Sequence, residues 1–79
     1  MNANELVNMI ETAGYATIEY TAPGDYKTCV AVKVDDAEQF KTDVKAAGAA
    51  KYVKGCKVDS MGKRKVVYFP SVLVEVESL

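Results

Sequence analysis

The chain reads as an α+β protein, a two-layer sandwich in the order αββαββ. Its four-stranded (five with a separate strand beyond Pro70), antiparallel-rich sheet carries two helices on one face. Three observations lead there. Seventy-nine residues with 49% apolar and 27% charged side chains suffice for one core, so residues 1–79 are expected to form a single domain. Twelve Val stand against three Leu and two Ile, and β-branched side chains suit a pleated surface better than a helix. The apolar period also changes from three or four residues to two, and does so twice. Helix, strand, turn and strand therefore occupy about 2–34 and recur over about 35–77.

The first helix opens at Asn2 and Glu5, which have the spacing of a capping box. Leu6, Met9, Ile10 and Ala13 then make one apolar face, flanked by Val7, and Gly14 provides the stop. From Tyr15 to Thr21 the side chains alternate, with Ala16, Ile18 and Tyr20 on one side. Ala22-Pro23-Gly24-Asp25 has the composition of a type II turn. Tyr26 to Val34 alternates again: Thr28, Val30, Val32 and Val34 point one way, Lys27, Cys29, Ala31 and Lys33 the other. Tyr20 and Tyr26 are expected to pair across this hairpin. Asp35 and Asp36 cap a second helix whose buried stripe is Ala37, Phe40, Val44 and Ala47, ending at Gly48. A third strand is expected over about Ala50 to Asp59 with a bulge at Gly55. A turn at Ser60-Met61-Gly62-Lys63 follows, and a long last strand starts at Arg64. In layout alone this order resembles a circularly permuted ferredoxin-like sandwich, and that resemblance implies no activity.

Several function classes recede. The chain has no His, the commonest acid–base group and zinc ligand, and no Gly-rich phosphate loop or GxSxG elbow. No cofactor and no metal is expected. Asp35, Asp36 and Glu38 cluster at a helix start, where capping explains them. The N-terminus lacks the pattern of a signal peptide and no apolar run spans a bilayer. An intracellular, cytoplasmic protein without membrane contact is expected, in a host cell's cytoplasm if it is phage-encoded. Cys29 and Cys56 are then reduced thiols; had the chain a catalytic group, one of them beside a Lys would be the first place to look.

Two features bear on function. Eight of the eleven residues from Val66 to Val76 are apolar, which puts apolar side chains on both faces of a strand when the helices cover one. Pro70 could end the strand and start another. Part of the segment is expected to meet a second polypeptide, with Val67, Phe69, Val72, Leu73, Val74 and Val76 as the homodimer or partner surface. Charge is also segregated: residues 1–40 carry net −5, residues 41–65 net +6 and residues 66–79 net −2. Lys51, Lys54, Lys57, Lys63, Arg64 and Lys65 form the expected basic patch, facing nucleic acid or an acidic protein, with Tyr15, Tyr52 or Phe69 as surfaces for base stacking. Lysines on an edge strand also serve solubility.

The expectation is a non-catalytic protein-binding module, homodimeric, with a second, unidentified protein partner. In size and character alone the chain resembles accessory inhibitors of phage and other mobile elements, including anti-CRISPR proteins; no motif carries the likeness and no site residue follows from it. The alternatives are a nucleic-acid binder using the second hairpin and a structural assembly subunit.

Overall fold

The core lies between two helical segments and one face of a four-stranded antiparallel sheet. A computed structural model describes residues 3–21, 24 and 28–70. In chain order the elements are α1 (Ala3–Thr12), β1 (Ile18–Tyr20), β2 (Cys29–Val34), α2 (Ala37–Val44), α3 (Ala50–Val53), β3 (Lys57–Met61) and β4 (Arg64–Phe69), with a widened helical turn at Lys45–Ala49 joining α2 to α3. The strands run β1-β2-β4-β3, each neighbour antiparallel.

Helix α1 buries Leu6 and Ile10, as its spacing predicts. It closes as a Schellman motif: Gly14, at φ +96°, donates to the Glu11 carbonyl and Tyr15 donates to the Ile10 carbonyl. Asn2, half of the expected capping box, lies outside the described residues. Helix α2 starts where expected, with the Asp36 carboxylate accepting from the Gln39 N–H at 3.0 Å. Its Ala37, Phe40 and Val44 join Leu6, Ile10, Val30, Val32, Val34, Val67 and Phe69 in one apolar cluster. Both helices therefore cover the same face of the sheet.

Three expectations need correction. Residues Ala50–Val53 are helical, not strand. The chain does leave α-helical geometry at Gly48 (φ +106°), but it re-enters for one turn that buries Tyr52 and Val53 side by side. Adjacent buried side chains suit a helical turn, whereas a strand would send one of them to each face. Gly55 is consequently no bulge: it sits in the turn after α3 and donates to the Tyr52 carbonyl at 3.2 Å. The first strand is also shorter than its alternation suggests. Tyr15 leaves the sheet line because its ring packs edge-on against Phe40, centroids 4.8 Å apart, and its hydroxyl donates to Asp43. Of the first turn only Gly24 is described, at the φ of +84° that position three of a type II turn requires. Tyr26 falls outside the described residues.

Candidate functional site

Strand β4 is central. Its two edges are occupied within the chain by β2 and β3, so residues 64–69 cannot add a strand from a second copy. Val67 and Phe69 point into the helix-covered core and are fully buried there, which removes these two from the surface the sequence suggests. Val72, Leu73, Val74 and Val76 lie outside the described residues.

The other face of β4 is where the two-sided apolar pattern becomes informative. Val66 and Tyr68 turn away from the helices and meet Cys29 and Ala31 in a second buried cluster, with Tyr20 packed on it. The Tyr20 and Tyr68 rings are 5.2 Å apart at 41°. Tyr20 belongs to one edge strand, yet its hydroxyl donates to Asp59 Oδ2 on the opposite edge at 2.7 Å. A twisted sheet brings diagonal corners together on one face, and this bond spans that diagonal. Donating this bond to the Asp59 carboxylate holds the proton on the phenol, and with desolvation and the neighbouring negative charge it pushes Tyr20 up to about 12. Tyr15 is raised to about 12 by its hydrogen bond to Asp43, whose own carboxyl is held low by that bond and a second from Gln39.

The expected basic patch divides. Lys51 and Lys54 lie on and just after α3, before β3 begins, while Lys63, Arg64 and Lys65 lie at the hairpin tip where it ends. Four residue steps along a strand separate these groups by roughly 13 Å. Lys57 stands at the start of β3. Arg64 is engaged within the chain: its Nε donates to Asp35 Oδ1 at 2.8 Å and its Nη2 to the Lys33 carbonyl at 3.3 Å. The five lysines are exposed. Of the three rings offered for base stacking, Phe69 and Tyr52 are buried, and Tyr15 is partly buried with its ring at 86° to that of Phe40.

No match emerged when the chain was compared with known protein families, curated proteins and solved structures.

Among the described residues no helix is long and apolar enough to cross a membrane. The acidic trio at the start of α2 is taken up locally: Asp36 caps, Asp35 holds Arg64, and Glu38 pairs with Lys41 at 3.4 Å. Cys29 is buried in the open-face cluster, and burial pushes the Cys56 thiol above its ordinary value, away from the nucleophilic thiolate. Ile18 (36% exposed) lies on the opposite edge, in the three-residue β1, and the longer accessible edge is that of β3. It presents Lys57, Ser60, Val58 (38% exposed) and Met61 (39% exposed) beside the Asp59 carboxylate. Sequence reasoning counted Lys57 among the patch and passed over Val58 and Asp59. The alternation Lys-Val-Asp was visible, but its place on an edge follows from strand order alone.

Proposed function

We propose that this chain is a non-catalytic protein-binding module that works as a homodimer and uses its exposed lysines against a second, acidic protein. The observation that carries the reading is the edge strand β3, which exposes the Val58 and Met61 side chains and, among the described residues, pairs its backbone on one side alone. Val72, Leu73, Val74 and Val76, which lie outside the described residues, are apolar in sequence and belong to the same proposal. The fold belongs to the same proposal as a circularly permuted ferredoxin-like sandwich: placing β4 ahead of α1 converts the order of elements into β-α-β-β-α-β. A small binder of this kind fits the role of an accessory inhibitor that acts by occupying a protein surface.

Light scattering at tens of micromolar tests the reading. The expected molar mass is twice the 8.6 kDa of the chain; a mass of 8.6 kDa would overturn it, and larger oligomers would favour an assembly subunit. The nucleic-acid reading is weaker because Arg64 is held by Asp35 and the Phe69 and Tyr52 rings are buried. A low-salt gel shift that Lys63→Glu with Lys65→Glu abolishes would restore it.

A further inference from the structure

We infer that the homodimer forms by antiparallel pairing of β3 with β3 of a second copy, in the register that sets Val58 opposite Val58. The inference rests on the homodimer reading and specifies its surface. The hairpin fixes which backbone groups are available. Met61 pairs with Arg64 across a two-residue loop, Gly62-Lys63, in which Gly62 has φ +62° and Lys63 does not have positive φ. That is the type II′ pattern, in which the residues flanking the loop form a hydrogen-bonded pair. Alternation then directs the N–H and C=O of Met61, Asp59 and Lys57 toward β4, and those of Val58 and Ser60 outward.

A two-fold axis can fall on an outward residue or on the inward residue between them, which leaves three registers with substantial overlap. Centring on Asp59 sets two carboxylates face to face. Centring on Ser60 sets Asp59 against Met61 and Lys57 against Lys63. Centring on Val58 sets Lys57 of each copy against Asp59 of the other, twice. These fall in non-hydrogen-bonded pairs, where side chains approach most closely. Val58 then forms the reciprocal hydrogen-bonded pair with its copy and covers the apolar surface it now exposes. Lys57 makes no ion pair among the described residues, and Asp59 uses Oδ2 for Tyr20, leaving Oδ1 for the incoming ammonium. The product is a continuous eight-stranded sheet.

Charge reversal tests the register. Lys57→Asp alone faces two carboxylates with two more, and Asp59→Lys alone faces ammonium with ammonium. Each is expected to run at the mass of one chain, and an equimolar mixture of the two at the mass of two, because every cross-strand pair is then opposite in sign. A second variant leaves both charges intact: Val58→Cys in a Cys56→Ser background is expected to give a disulfide-linked dimer on mild oxidation, since Cα atoms about 5.5 Å apart suit the bond. A wild-type dimer that survives Lys57→Asp, or that leaves Val58→Cys unlinked, overturns this register while the homodimer reading stands. A wild-type monomer overturns both.

Discussion

The two faces of the sheet are buried by different means. On the covered face, side chains from α1, α2 and α3 interlock with Val30, Val32, Val34, Val67 and Phe69, so that many residues share the exclusion of water. On the open face, among the described residues, Cys29, Ala31, Val66 and Tyr68 form the buried cluster, with Tyr20 as the partly buried residue packed against them and tied across the sheet to Asp59. Stability on the first face is spread over area. On the second it rests on a smaller cluster that one partly buried ring covers.

The contrast can be broken by mutation. Phe40→Ala removes a fully buried ring that contacts both Tyr15 and Phe69, and is expected to destabilise by about 3–5 kcal/mol in urea denaturation. Val66→Ala, equally buried but in the smaller cluster, should cost about 2 kcal/mol. Val67→Ala, equally buried on the covered face, is the matched comparison, and equal losses at Val66 and Val67 would show that the faces contribute alike. Tyr20→Ala uncovers the cluster, whereas Tyr20→Phe keeps the ring and loses the bond to Asp59. The melting temperature should therefore drop further for the first than for the second, and the drop for Tyr20→Phe should be smaller than for Val66→Ala.

The smallest effect sharpens the picture by spectroscopy. Tyrosinate absorbance should place two phenols near pH 12, and Asp59→Ala or Asp43→Ala should each return one of them toward 10. The linkage has a definite sign. A phenol whose pKa is raised in the folded chain favours folding in its neutral form. Both contributions are therefore complete below pH 10 and disappear between about 10 and 12. Asp43 acts at the other end: its carboxyl is lowered in the fold, so its contribution is present above the ordinary carboxylate pKa and fades as the pH falls. A protein in which both aspartate variants leave the tyrosine titration unmoved would lack these bonds in solution.

Local signals proved legible in sequence where neighbouring residues decide the outcome. The stop at Gly14, the cap at Asp36, the apolar stripe of α2 and the alternation of β2 each depend on contacts within a turn or along one strand. The single turn of α3 escaped because four residues are too few to establish a helical period, although the adjacent burial of Tyr52 and Val53 argues against a strand. The excess of apolar residues in β4 correctly signalled that both sheet faces need cover. It did not say that Tyr20, from the far edge, covers one of them within the same chain.

Composition and periodicity alone thus determined the α+β class and the inward face of each long element, because burial selects side chains by local spacing. Strand order was a tertiary decision. It placed β4 at the centre and β3 at the rim, withdrew Val67 and Phe69 from any surface, and joined Tyr20 to Asp59 across 39 residues of sequence. Spacing along a chain carries no information about such partners, since loop closure permits many pairings and only the packing of the whole sheet selects one.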